Sequence, residues 1–283
     1  MPFTKFSQIL ACADENKFAV ASVNIFNIES AVWVVKAAEL ERVPVILMLY
    51  PDKNYFVPMS AVGASCKIIA ENASVPVGVH LDHSNSFEVA ISGIPAGFQS
   101  IMIDCSALPF DENVAITKRV VDCARIFNVE VEAELGYVGR ESSAEELFDS
   151  SSYTDPGDVV DFVNRTGVDA LAVAIGNSHG KYICEPHLDI SRLDEINKAV
   201  SLPLVLHGGS GIPEDQLAEA VKRGINKINV GTDFFAKSKE ALEKYLSDKD
   251  TFVLSGFEKA GEEVIEYMSK RLRMFNPLGY RLP

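Results

Sequence analysis

Val79-His80-Leu81-Asp82-His83-Ser84 is an apolar run of strand character that stops abruptly on an acid beside an imidazole. Two further segments repeat the design. Ala172-Val173-Ala174-Ile175-Gly176-Asn177-Ser178-His179-Gly180 and Leu204-Val205-Leu206-His207-Gly208-Gly209-Ser210-Gly211 each carry an apolar strand into a His followed at once by Gly. Three buried strands that each end on a His predict one shared site at the C-terminal end of a parallel sheet. A single metal ion there takes three imidazoles and keeps positions open.

Working outward, strand patterns fall at residues 18–26, 45–50, 75–83, 100–105, 129–135, 170–175, 202–206 and 226–230. Helical periodicity occupies the gaps, at 29–42, 59–73, 86–91, 111–127, 156–166, 191–200 and 213–223, and two more helices follow at 234–246 and 252–274. Eight strands alternating with helices imply parallel βαβ units, and eight is the number that closes. The expected fold is therefore α/β, a (β/α)8 TIM barrel over residues 1–283 as a single domain, with a C-terminal helical extension. An open doubly wound sheet calls for Gly-x-Gly-x-x-Gly after the first strand, and Asn24-Ile25-Phe26-Asn27 lacks it.

Composition narrows the function. Forty acidic against 26 basic side chains give a net charge of −14, which opposes the basic surface that nucleic acid requires. No apolar run approaches the length of a membrane span or forms a signal core. The five cysteines are odd in number and lack Cys-x-x-Cys spacing, which fits reduced thiols in a cytoplasmic protein rather than a disulfide framework.

His83, His179 and His207 are the expected metal ligands, and neutral imidazoles suit Zn²⁺ with a position left for a substrate oxygen. His80 and His187 are read as structural. Asp82 either orients a ligand or transfers a proton, and proton transfer is the favoured role. Glu134 and Asp104, also at strand ends, are alternative ligands or groups that orient them. In the fifth strand Glu130, Glu132 and Glu134 alternate with apolar residues, which aims the acids to one side, the barrel interior or mouth. The segment 136–155 is the longest irregular stretch and reads as a lid carrying Glu141, with a helical turn at 144–148. Gly208-Gly209-Ser210-Gly211 and Asn229-Val230-Gly231-Thr232 follow strands seven and eight, the loops that commonly bind phosphate in barrels, and Gly180-Lys181 adds an amide and an ammonium.

At these residues the chain resembles the class II, metal-dependent ketose-bisphosphate aldolases, which include the fructose- and tagatose-bisphosphate enzymes. Val23-Asn24-Ile25-Phe26-Asn27, Leu81-Asp82-His83, Met102-Ile103-Asp104-Cys105-Ser106, Glu132-Ala133-Glu134-Leu135-Gly136, Gly176-Asn177-Ser178-His179-Gly180 and His207-Gly208-Gly209-Ser210-Gly211 look like family motifs in family order. The resemblance implies zinc on His83, His179 and His207, stabilising the enediolate of dihydroxyacetone phosphate without a Schiff-base lysine. It implies Asp82 as the acid that serves the aldehyde oxygen and Glu141 as the lid carboxylate that exchanges the C3 proton. It further implies that Gly180, Gly208, Ser210, Asn229 and Thr232 hold the C1 phosphate, that Asn24 also touches substrate, and that Na⁺ or K⁺ binds nearby. The oligomer implied is a homodimer or homotetramer. The departures lie at the other end of the substrate. Tyr50 ends strand two where the family usually offers Ser, Gly231 stands where fructose-bisphosphate members usually carry Asp, and Phe235 replaces a frequent basic residue. The expectation is a zinc-dependent aldolase that releases dihydroxyacetone phosphate and an aldehyde other than glyceraldehyde 3-phosphate. The alternatives are a fructose- or tagatose-1,6-bisphosphate aldolase proper, a metal-dependent hydrolase, disfavoured because no His-x-His pair marks strand one, and a non-catalytic sugar-phosphate-binding barrel.

Overall fold

The computed structural model describes residues 2–53, 56–139, 150–182 and 184–283. Eight parallel strands pair in sequence order and close: β1 Val20–Asn24, β2 Val45–Leu49, β3 Val77–Ser84, β4 Ser100–Ile103, β5 Glu130–Leu135, β6 Ala170–Val173, β7 Leu204–Leu206 and β8 Ile225–Val230. The helices that cover them are α2 Ile28–Glu41, α3 Met59–Glu71, α4 Phe87–Ser92, α5 Phe110–Ile126, α6 Pro156–Thr166, α7 Ile190–Ala199, α8 Glu214–Lys222 and α9 Thr232–Leu246. A ninth covering helix, α10 Val253–Met274, lies against α2 and α9 as the C-terminal extension. Caps explain several starts. Asn27 accepts from Ser30 N while the Ser30 hydroxyl accepts from Asn27 N, and Asp155 and Asp189 cap α6 and α7.

The alternation along each strand divides the core in two. Outward residues such as Val79, Leu81, Val131, Ala133, Leu204 and Leu206 are packed into the large cluster between sheet and helices. Inside, the lower end is apolar, with Val20, Ile46, Ala170, Ala172 and Val205 meeting Phe6, Ile9 and Leu10. Above them the interior turns polar: His80, Ser100, Glu132 and Lys227 are fully buried, and Asp82, Glu134, His207 and Asn229 stand nearer the mouth.

The structure adds elements that the strand and helix patterns did not include and shortens others. Residues 6–16 form a helix, α1 Phe6–Asn16, that plugs the barrel's N-terminal opening with Phe6 stacked on His80. Its apolar positions Phe6, Ile9, Leu10 and Ala13 have helical spacing, and burying the Phe6 ring alone contributes roughly 2–3 kcal/mol. The last residues pack on their own chain: Ala19 N donates to Phe275 O, Leu282 N to Arg42 O, and Tyr280 stacks on Phe18. β1 is also shorter than residues 18–26, and β6 ends at Val173, so that His179 stands on the following loop rather than at a strand terminus.

Candidate active site

A strand sends consecutive side chains to opposite faces, yet Asp82 and His83 both face the mouth of the barrel. The register between β3 and β4 explains this: Leu81 pairs with Ile101 but Ser84 with Ile103, so three steps on one strand match two on the other. The extra residue is a β-bulge, which re-aims side chains at a cost in backbone geometry. His83 carries it, with φ of 24°, a positive value uncommon for a residue with a side chain. A second register shift, between β7 and β8 at Asn226, turns Lys227 and Asn229 inward together.

His83, His179 and His207 converge. Their ring centroids are 4.7 Å (83–179), 4.6 Å (83–207) and 5.6 Å (179–207) apart, and one nitrogen from each lies within 4.8 Å of the others. The His83 Nδ1–H donates to Asp104 Oδ2 at 3.0 Å, and the His207 Nε2–H donates to Glu132 Oε1 at 2.9 Å. A carboxylate only accepts, so each bond sets the tautomer and leaves the other ring nitrogen as a lone-pair donor. His83 Nε2, His207 Nδ1 and both nitrogens of His179 are buried without a hydrogen-bond partner. His207 Nδ1 is 3.2 Å from Glu134 Oε2, in ion-pair range but outside hydrogen-bond geometry. Buried imidazoles oriented by carboxylates, with their free nitrogens converging, are what a metal ion requires of its ligands and their supports. These residues therefore fit a divalent cation. Asp104 and Glu134 form a second three-residue set with His83, and the Ser106 hydroxyl lies 2.8 Å from Asp104 Oδ1 and 2.9 Å from Glu134 Oε1.

The charges follow. His179 is depressed well below the usual imidazole range by burial and by the neighbouring rings. Burial also opposes a charge on His207, but Glu132 and Glu134 outweigh it and raise the metal-free ring to about 9, so a cation that takes its Nδ1 lone pair does so by displacing a proton. In His83 burial is overcome by Asp82 and Asp104, and the ring is raised. Beneath, Lys227 Nζ is 2.9 Å from Glu132 Oε2 and 2.7 Å from Asn229 Oδ1. Burial disfavours the Glu132 carboxylate, but Lys227 and His207 hold it well below the ordinary range. Glu132 and Lys227 were not singled out as site residues from sequence; the acid alternation of β5 and the one charged residue of the buried strand Ile225–Val230 were their signals.

Asp82 is buried and clamped. Its Oδ2 accepts from Asn24 Nδ2 at 2.9 Å and its Oδ1 from Asn229 Nδ2 at 3.1 Å. Burial raises the carboxyl, but His83, His207, Lys227 and the Asn24 bond more than offset it, so Asp82 is lowered and ionised. Asn24 and Asn229, expected at the substrate, thus serve Asp82 while still lining the reaction cavity.

That cavity, about 460 Å³, is bounded by Asn24, Asp82, His83, His179, Asn229 and Ser210, together with Gly180, Gly208, Thr232, Tyr50, Gly231 and Phe235. Gly208 adopts φ of 63°, and a Cβ there would lie 2.0 Å from Ser178 O, so only glycine permits this close approach. The Tyr182 hydroxyl accepts from Ser178 N and donates to Gly208 O, and Arg271 Nη2 donates to Gly209 O at 2.8 Å. Ser210 Oγ accepts from Asp233 N, the second amide of α9, while Gly231 before the helix supplies no side-chain cap and Thr232, its first residue, lines the cavity, where a helix start favours an anion. Lys181 is exposed and lines a neighbouring polar cavity with Gly180, Ser210 and Arg271. Glu141 and the turn expected at 144–148 lie outside the described residues.

Residues 4–279 match the family model for fructose-bisphosphate aldolase class-II. The chain is 41% identical over 252 residues, 88% of each chain, to a protein of Bacillus subtilis (strain 168) named probable fructose-bisphosphate aldolase. It is 40% identical over 258 residues, 89% of each chain, to the fructose-bisphosphate aldolase of Staphylococcus aureus (strain Mu50 / ATCC 700699). Among solved structures, the YdjI aldolase from Escherichia coli K12 superposes with a TM-score of 0.83 at 31% identity, over 96% of this chain and 97% of that one.

Proposed function

The chain belongs to the class-II fructose-bisphosphate aldolase family, and from that premise we propose that it joins and cleaves dihydroxyacetone phosphate and an aldehyde other than glyceraldehyde 3-phosphate. Zinc is the proposed metal, held by His83, His179 and His207, with Asp104 and Glu134, which form a second set with His83, as alternative ligands. When bound it supplies Lewis-acid polarisation of the donor's carbonyl.

The residues do the rest. The ionised Asp82 takes the proton of the hydroxyl that becomes the aldehyde in cleavage and returns it in condensation, and the two amides that hold it keep it aimed. Gly180, Gly208, Ser210, Thr232 and the start of α9 receive the C1 phosphate through backbone amides and hydroxyls, with Asn24, Asn229 and Lys181 close by. A Na⁺ or K⁺ ion beside that phosphate is part of the same proposal, as is Glu141 as the base at C3. We also assign a cytoplasmic homodimer or homotetramer, which light scattering tests.

One observation carries the choice of aldehyde. Among the described residues that line the reaction cavity none is Lys or Arg, and Tyr50 and Phe235 contribute rings to its wall. A phosphate dianion placed there forgoes charge-assisted hydrogen bonds that rings cannot replace. The names of the relatives favour a second reading, fructose 1,6-bisphosphate itself. One assay separates the two: zinc-loaded protein given fructose 1,6-bisphosphate, and separately dihydroxyacetone phosphate with a panel of aldehydes whose adducts are weighed by mass spectrometry. The proposal expects adducts with other aldehydes, lost on chelation, and fructose bisphosphate cleavage far below them. Efficient cleavage of fructose bisphosphate would refute it.

A further inference from the structure

A second cavity, about 330 Å³, adjoins the first and shares Asn24, Tyr50 and Phe235 with it. It runs between β1, β2, α2 and α3, and its walls include Ile25, Ala31, Leu49, Val62, Cys66 and Ile69. Burial pushes the Cys66 thiol up to about 12, so this sulfur is a neutral, apolar wall atom. The charged residue on the lining is an acid, Glu29, and no described Lys or Arg stands there. Its size falls within the range of small-molecule sites, and its contents are those of a pocket for hydrocarbon.

Position connects it to the reaction. Asn24 lies on the wall common to both cavities and donates to Asp82, the group proposed to serve the aldehyde oxygen. Tyr50 meets the His83 ring edge to face, with centroids 5.9 Å apart, and Phe235 meets Phe26 in the same way at 5.9 Å. Tyr50 and Phe235, which line both cavities, are the side chains that the substituent of a carbonyl held at Asp82 meets on the way to the second. We propose that the acceptor is an uncharged aldehyde whose apolar tail enters this second cavity past Tyr50 and Phe235. The inference rests on the reading of the chain as an aldolase using dihydroxyacetone phosphate, and it names the class of aldehyde. In condensation the donor's C3–H bond breaks, C3 bonds to the aldehyde carbon, and the aldehyde oxygen gains a proton. One proton is released and one taken up, so no co-reactant is needed.

The test uses the full chain loaded with zinc. Solvent-deuterium exchange at C3 of dihydroxyacetone phosphate without aldehyde reports on the donor half alone; its absence overturns the aldolase reading, not the pocket. With exchange established, kcat/KM is measured for ethanal, butanal, hexanal and glyceraldehyde 3-phosphate. The expected result is a rise of about fourfold per methylene along the uncharged series, the gain for a buried CH₂, with hexanal above the phosphorylated aldehyde. Ala61→Phe fills the cavity from an exposed position on α3, and Ser65→Leu does so from a half-buried one. Both are expected to cancel the gain for hexanal and leave ethanal within about twofold, as truncating the accessible methylenes predicts. Saturation-transfer NMR of unreactive hexanol gives a binding signal expected in the parent and absent in either variant. A flat series, or a gain and a hexanol signal that survive both variants, overturns the proposal. A flat series in which Ala61→Phe also dissociates an oligomer assigns the cavity to a second copy and overturns it equally.

Discussion

At one end of the reaction cavity His83, His179, His207, Asp82, Asn229 and Ser210 present nitrogen and oxygen atoms; at the other Tyr50 and Phe235 present rings and Gly231 a bare backbone. Almost every polar group at the first end is held by another: His83 by Asp104, His207 by Glu132, Glu132 by Lys227, Asp82 by Asn24 and Asn229. In a low-dielectric interior each such partner is obligatory, because an unpaired buried polar atom costs about 1–3 kcal/mol. At the second end Tyr50 and Phe235 make ring contacts instead, with His83 and Phe26. A wall of rings asks of its neighbours only volume, so it changes with single substitutions while the networked end resists them. Chemistry and aldehyde choice are therefore separable in this molecule.

The comparison breaks first at the metal ligands. His207→Ala, or chelation, is expected to lower both C3 exchange and condensation by about 10³-fold or more, since several kcal/mol of Lewis-acid stabilisation is removed; zinc content measured on the same sample checks the cause. Asp82→Asn is expected to lower condensation by about 10²–10⁴-fold, the value of general acid-base catalysis, with C3 exchange nearly intact. Equal loss of both would unite what is separated above. Glu132→Gln weakens the support of His207 and is expected to reduce zinc affinity by about 10–100-fold, read by competition with a chromophoric chelator. At the other end, Phe235→Lys is expected to raise kcat/KM for glyceraldehyde 3-phosphate by about tenfold, one charge-assisted hydrogen bond, and to lower it for hexanal.

The smallest effect lies below both ends. Burial, with Lys227 nearby, lowers His80 to about 3, while its Nδ1 is bonded to Ser100 Oγ. A depressed folded value means that the unfolded chain takes up this proton first. The neutral ring's contribution is whole above pH 6.5 and is lost progressively as pH falls towards 3. His80→Asn is expected to flatten the pH dependence of urea stability in that window by about 1 kcal/mol per pH unit.

Much of this was legible locally. The strands of the barrel, the three strand-to-His transitions and the glycine turns are patterns of a few residues, and periodicity reports them. The plug Phe6–Asn16 was legible too, from apolar residues at helical spacing, but a strand-first reading passes over a helix that precedes the first βα unit. The inward bulge at Asp82-His83 had no local signal, because it exists only in the register against β4. Lys227 and Glu132 were visible as charged residues within strand patterns, but their pairing joins strands far apart in the chain.

The sequence by itself determined the number of strands, the residues at their ends and hence the chemistry on offer: three imidazoles, an acid, and amide-rich turns. Tertiary structure decided which ring nitrogen is free, that Asp82 and His83 share a cavity, that Asn24 and Asn229 serve an acid, and that an apolar pocket adjoins the site. The physical reason is that backbone periodicity is set by neighbours in the chain. Tautomer, charge and cavity shape are set instead by atoms that only barrel closure brings within hydrogen-bond distance.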